Sequence, residues 1–463
     1  MIDKVVGQNL CIGCGVCAGV CPNGFLSINF NRFGEYNAFL NKSCEVNCGL
    51  CLKVCPFYSE NDNEDVLAKE RYANIFGIKY HKAAGYYLKS YYGYSLENEH
   101  RAKGASGGLT TWLLENLLVQ KKVDHVICVT PNDDPEKLFK FQVFDSIDGI
   151  RNASGSVYYP VELSEVIKFI LDHDGKFALV GLPCFIKAIR LAQKNNLKLK
   201  ERVKYVIGLV CGQLKSKYYT SFISVLAGAE KNPDKVFFRK KDGKNDALNY
   251  LFEARIKDGK SVCIYNKDGV SRVWENRWFT PQTCSYCDDV LAELADVVFM
   301  DAWLPEYILD NKGANLLIVR SVDIDQLIVC ASEQKQIHTI DILLERVILS
   351  QSDVLRVKRN QLAYRLYLAR KNSNPVIVKR IVSANKLNLF EKKEVRIKEK
   401  MRIKSREEFL KIRKLDQKMI SSFLKEDLKE LLFWKTIYLY LLFPVRVLFK
   451  INREFKGFFY KNG

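Results

Sequence analysis

Two short cysteine runs carry the clearest chemistry in this chain. Cys11-Ile-Gly-Cys14-Gly-Val-Cys17-Ala-Gly-Val-Cys21-Pro22 follows the C-x2-C-x2-C-x3-C-P spacing that holds cubane iron–sulfur clusters. Cys44-Glu-Val-Asn-Cys48-Gly-Leu-Cys51-Leu-Lys-Val-Cys55-Pro56 repeats it with one extra residue between its first two cysteines. Three thiolates two residues apart wrap one cubane in a tight loop, and the fourth, set off by three residues and a proline, reaches the other cluster. The spacing therefore predicts Cys11, Cys14, Cys17 and Cys55 on one 4Fe-4S cluster and Cys44, Cys48, Cys51 and Cys21 on a second. Gly13, Gly15, Gly19 and Gly49 give the loops permissive backbone. The rival readings are a pair of zinc sites, which favour isolated C-x2-C pairs, and a disulfide scaffold, which needs an oxidising compartment.

The elements that position these runs follow from length and pattern. The chain has 463 residues, which suggests roughly three domains. No apolar secretory stretch precedes Cys11, and no run of about 20 apolar residues is present to span a bilayer. Fifteen cysteines without an export signal point to the cytoplasm and to metal chemistry. The net charge of +19 is uneven: residues 391–463 hold 20 Lys and Arg against 10 Asp and Glu. Such a basic tail calls for an anionic partner. No zinc-finger, RRM or basic-zipper pattern accompanies it, so no nucleic-acid partner is expected.

The expected class is α/β. Residues 1–58 form an α+β ferredoxin-like module, closed by the acidic linker Ser59–Asp65. Regions 72–150 and 151–330 form an α/β core, and 331–463 a mainly helical basic tail. Leu109–Leu118, Leu163–Leu171, Phe185–Gln193 and Tyr218–Leu226 read as helices. They alternate with apolar strands at Val123–Val129, Lys176–Gly181 and Val203–Val210, which implies parallel pairing. Asp296–Met300 and Leu316–Arg320 follow as further strands.

Three motifs lie outside the first module. Ser106-Gly-Gly108 stands at a helix start, where Ser106 can cap and Gly107 and Gly108 bare amides suited to a flavin or nucleotide phosphate. Cys184, Cys211, Cys284 and Cys287 sit at strand ends or in loops, and in an open α/β sheet the carboxyl ends of strands converge on a ligand crevice. Together they are candidates for a third 4Fe-4S cluster; the alternatives are small buried hydrophobes for Cys184 and Cys211 and half a zinc site for Cys284 and Cys287. Arg239 and Lys240 are candidates to hold a phosphate or anionic substrate, against a solvated strand end. Cys128, Cys263 and Cys330 read as core, and His125 as structural.

Taken in order, Ser106-Gly-Gly108, Gly181-Leu-Pro-Cys184, Leu209-Val-Cys211-Gly, Cys284-x2-Cys287 and Glu293-Leu-Ala-Asp296 through Asp301-Ala-Trp303 resemble the coenzyme F(420) hydrogenase/dehydrogenase beta-subunit family. Gly212 and Leu182 stand where members often carry histidine and threonine. The resemblance covers residues 1 to about 320. It implies an iron–sulfur flavoprotein oxidoreductase with FAD between Ser106–Gly108 and the segment carrying Pro183 and Cys184. It implies an acidic electron-transfer partner such as ferredoxin, a small-molecule substrate exchanging hydride, and for many bacterial relatives a surface-polysaccharide context. The competing reading is a non-catalytic subunit that delivers electrons to a partner enzyme. A scaffold using clusters only for folding is a third. The aromatic, apolar stretch Leu431–Pro444, with Lys435, Arg446 and Lys450, could lie on an anionic membrane surface, making the protein peripheral at the inner face, or could pack on the chain's own core.

Overall fold

The computed structural model describes residues 2–441 apart from 45–47, 98, 258, 375–376, 378–379 and 413–415. In the N-terminal module, strands β1 (Leu26–Phe30) and β2 (Tyr36–Leu40) pair antiparallel, and the two cysteine runs carry short helices at Val16–Gly19 and Leu50–Lys53. Helix α1 (Glu64–Tyr72), capped by Asn63, leads into the small hairpin β3 (Lys79–His81) and β4 (Gly85–Tyr87).

The core is one eight-stranded sheet. Its strands are β5 (Lys89–Ser95), β6 (His125–Pro131), β7 (Phe139–Phe144), β8 (Phe177–Gly181), β9 (Val203–Leu209), β13 (Val297–Asp301), β14 (Asn315–Val319) and β15 (Ile337–Asp341), with β10 (Lys235–Lys240), β11 (Leu251–Arg255) and β12 (Ser261–Tyr265) forming a separate three-stranded sheet. The large sheet runs β15-β5-β14-β13-β9-β8-β6-β7. The expected parallel pairing occupies its middle, β13-β9-β8-β6, while both flanks are antiparallel. The continuous apolar runs predicted this, because strands covered on both faces need no polar alternation. Val297 and Phe299 of β13 face one core and Val298 and Met300 the other, the period-two signature of a pleated strand.

Helices α2 (Leu109–Val119) and α6 (Val322–Glu333) cover one face; α3 (Ser164–Asp172), α4 (Pro183–Asn195) and α5 (Lys217–Leu226) belong to the core that also takes in the N-terminal module. The expected boundary near 330 falls inside α6, and β15 beyond it joins the sheet, so the sheet draws on all three later segments. Helices α7 (Gln361–Lys371) and α8 (Leu389–Phe409) then pack back onto the core, as does helical chain at 425–441 through Leu431.

The basic tail is less available to an outside anion than its sequence suggests. Lys400 and Lys404 pair with Asp427, Lys398 with Glu394, Arg402 with Glu399 and Arg406 with Glu35. Cys128 is buried as expected, whereas Cys263 and Cys330 are exposed: β12 is an edge strand of the small sheet, and Cys330 lies on the outer side of amphipathic α6.

Candidate cluster and cofactor sites

In the N-terminal loops Cys14, Cys17 and Cys55 are buried and Cys11 half-buried. Burial raises the thiol pKa values of Cys14 and Cys55, that of Cys55 to about 12, with each other and Cys11 as like-charged neighbours. Cys17 is raised by burial and by Cys14, Cys11 and Cys55. Cys11, Cys14, Cys17 and Cys55 are thus neighbours, and Cys51 of the second predicted set also lies near Cys17. Amides point at their sulfurs: Gly13 N lies 3.4 Å from Cys11 Sγ, and Cys55 accepts from Phe57 and Tyr58. Buried thiols costly to ionise alone, ringed by N–H donors, suit a metal centre that takes them as thiolates. Gly13 has φ +69°, and a Cβ there would lie 2.3 Å from the Tyr36 carbonyl oxygen, so only glycine lets the loop approach β2. Of the second predicted set, Cys51 neighbours Cys48 and accepts from the Ile2 and Leu52 amides, while residues 45–47 beside Cys44 lie outside the described residues.

The four later cysteines also come together. Gly181 ends β8, and Pro183 opens α4 with the φ that a first helical position needs, setting Cys184 at the strand's carboxyl end. Cys211 follows β9, and Cys284 and Cys287 lie on a short turn and loop before β13. Burial raises Cys184 well above the usual thiol range, with Cys287, Cys211 and Cys284 as its anionic neighbours; burial pushes Cys211 to about 12. Leu214 N donates to Cys284 Sγ at 3.3 Å. Thr283, adjacent to Cys284, donates to the Cys11 carbonyl oxygen at 3.1 Å, tying this nest to the first loop. Among the described residues no three His, Cys, Asp or Glu are gathered as one metal ion would need; a cubane separates its thiolates more widely.

Beside the nest opens a cavity of about 380 Å³ at the carboxyl ends of β8, β9 and β13. Ser106, Gly108, Gly181, Cys211, Lys215 and Arg239 are among its lining residues; Gly107, Pro183, Cys184 and Lys240 are not. Ser106 does not cap α2 as predicted: its hydroxyl donates to the Ala314 carbonyl at 2.5 Å, and Gly108, at φ +78°, is the N-cap residue. Lys240 points away and pairs with Glu253 at 2.5 Å. Arg239 is held by Asp301 at 2.7 Å, and its buried Nε has no hydrogen-bond partner among the described residues. Its true companion is Lys241, whose Nζ donates to the Arg101 and Ser106 carbonyls at 2.5 and 2.6 Å; burial and then Arg239 lower its pKa to about 7. Buried Lys215 donates to Trp278 O at 2.8 Å, and burial holds its pKa well below the usual amine range. Sequence reasoning missed Thr283, Lys241 and Lys215, none of which sits in a recognisable motif.

The family described as coenzyme F(420) hydrogenase/dehydrogenase, beta subunit N-term, matches residues 90–168, its C-terminus counterpart matches 174–343, and the 4Fe-4S dicluster domain matches 10–58. A coenzyme F(420)-dependent sulfite reductase of Methanocaldococcus jannaschii is 28% identical over 313 residues, 64% of this chain and 43% of that protein. One of the subunits of an F(420)H(2) dehydrogenase from Methanosarcina mazei is 23% identical over 220 residues, 45% of this chain and 55% of that one. The chain thus spans about half the length of these curated relatives. A chain of the F(420)-reducing NiFe hydrogenase complex from Methanosarcina barkeri superposes with a TM-score of 0.49 at 18% identity, covering 63% of this chain and 96% of that one. Carrying a 4Fe-4S dicluster domain ahead of both halves of the matched beta subunit, this chain belongs to the coenzyme F(420) hydrogenase/dehydrogenase beta-subunit family.

Proposed function

We propose that the protein is an iron–sulfur flavoprotein oxidoreductase, with two 4Fe-4S clusters on the N-terminal cysteines, a third on Cys184, Cys211, Cys284 and Cys287, and FAD in the adjoining cavity. The observation that carries this reading is continuity. Thr283 bonds the Cys11 loop, its neighbour Cys284 belongs to the second nest, and Cys211 of that nest lines the cavity. The clusters would supply single-electron transfer and the flavin would exchange one or two electrons.

The chain's own residues do the placing. The Gly108 turn brings bare backbone against the cavity, the open Nε of Arg239 faces an unmet hydrogen-bond demand, and Tyr158, Tyr250 and Trp274 give it aromatic walls. A small hydride-exchanging molecule would enter from the Arg239 and Lys241 side, where a deazaflavin of the kind named for the relatives is one candidate and Asp242, Asp246 and Asp301 also line the opening. A separate protein, ferredoxin being the expected type, would load the N-terminal clusters. A peripheral membrane position would rest on Leu432, Phe433, Leu439, Tyr440 and Leu441, all exposed on residues 425–441; Lys435 is described there, while Arg446 and Lys450 lie outside the described residues.

Anaerobic purification with iron, sulfide and flavin analysis tests the reading. About twelve iron atoms and one FAD per chain are expected. Reproducible absence of flavin with clusters intact would leave an electron carrier for a partner enzyme, and absence of iron would remove both.

A further inference from the structure

The chain beyond residue 343, outside the family match, closes over the Cys284–Cys287 loop. Arg365 of α7 donates to the Ser285 carbonyl at 2.9 Å. The Ser285 hydroxyl donates to Glu399 of α8 at 2.9 Å and accepts from Arg277 at 2.9 Å. Ser405 of α8 accepts from the Phe279 amide at 2.9 Å. Immediately before α7, Arg356–Asn360 forms a π-helical turn, a geometry that inserts a residue and recurs at functional sites. On it Lys358 is 2% exposed, with Cys287, Cys211 and Cys284 as its anionic neighbours. A buried ammonium persists only beside opposite charge, and four buried thiolates are an equally costly cluster of anions.

We infer that residues 356–371 and 389–406 form a strap across the four-cysteine centre and that Lys358 is that centre's counter-charge. The inference rests on the third-cluster reading above. Adding one electron to a thiolate-bound cluster makes it more anionic, so a neighbouring cation favours the reduced form over the oxidised one. Taking the cation away therefore makes reduction harder. The other cations beside Cys284, Arg277 and Lys215, come from the matched family region, so Lys358 is the strap's own contribution.

The test uses the full chain purified without oxygen, its clusters reduced stepwise by dithionite as electron donor and followed by electron paramagnetic resonance. C284S identifies the signal of the four-cysteine centre. K358M is expected to keep its iron and to lower the reduction equilibrium of that signal at least tenfold, about 59 mV for one electron, while K358R stays near wild type. Iron lost from K358M but kept by K358R also supports the counter-charge. An unshifted signal in K358M, or an equal loss from both variants, overturns it. If K358M does not fold, K358Q reads the same potential. Wild-type protein with only about eight irons and no signal removed by C284S would instead sink the third-cluster reading, an outcome distinct from all of these.

Discussion

Arg406 grips Glu35 through two hydrogen bonds of 2.7 and 2.8 Å, although 371 residues separate them in sequence. Both are buried, and the guanidinium also lies 4.2 Å from the Phe33 ring centroid. A fork of this kind matches a carboxylate in two places, so α8 is locked to the turn of the β1–β2 hairpin. Replacing Arg406 by Met leaves Glu35 buried without its counter-ion, at a cost of about 3–5 kcal/mol. Denaturant unfolding under anaerobic conditions should show that loss, and the R406M/E35Q pair should lose less than the two single changes added together.

Asp296 is the second buried junction. It accepts from Arg71 of α1 at 2.8 Å, from Arg190 of α4 at 3.0 Å and from the Val206 amide at 2.7 Å. Burial pushes its carboxyl pKa up, but Arg190 and Arg71 outweigh burial and hold it below the usual range. A depressed folded pKa contributes stability that is present above the unfolded value and lost as pH falls through the folded one. D296A is therefore expected to cost about 3–5 kcal/mol near neutrality, because Arg190 is left buried and unpaired. The deficit should shrink as acid is added below about pH 4. An unchanged deficit down to the acid transition would contradict the assignment.

Lys241 gives the opposite pH limb. Its folded pKa of about 7, lowered chiefly by burial, lies below the unfolded value. Between the two the unfolded chain binds the extra proton, so stability rises with pH there, with a slope approaching about 1.4 kcal/mol per pH unit from this one group. Substituting Lys241 by Met should remove that part of the slope between about pH 7 and 10. Paired pH titrations of unfolding free energy read the difference directly.

Gly108 tests the cavity wall. At φ +78° an added Cβ would lie 2.5 Å from the His100 carbonyl carbon, which is backbone and cannot step aside. G108A combines strain of about 1–3 kcal/mol with displacement of the loop carrying Ser106. Lower thermal stability together with reduced flavin content is the expected result; full flavin retention would separate this turn from the cofactor.

Much of this was legible because local rules set it. Cysteine spacing defined the loops, and apolar runs bounded by glycine and proline located the central strands. The carboxyl-end position of Cys184 and Cys211 followed from strand polarity alone. Lys241 was missed for a local reason: the β10–β11 register slips between Phe237 and Lys240, so simple strand alternation could not give which neighbouring lysine faces inward. The strap was invisible for a global one. Arg365 and Arg406 look like a solvated basic face, and only the tertiary fold reveals that Ser285 and Glu35 wait for them.

The clasp between Arg406 and Glu35 also imposes an order on biosynthesis. The first module leaves the ribosome long before the helix that will hold it, and at about 5–20 residues per second the gap is roughly 20 to 70 s. Throughout that interval the first module must hold its β1–β2 turn without the guanidinium that later clasps Glu35, and completion of Leu389–Phe409 supplies it.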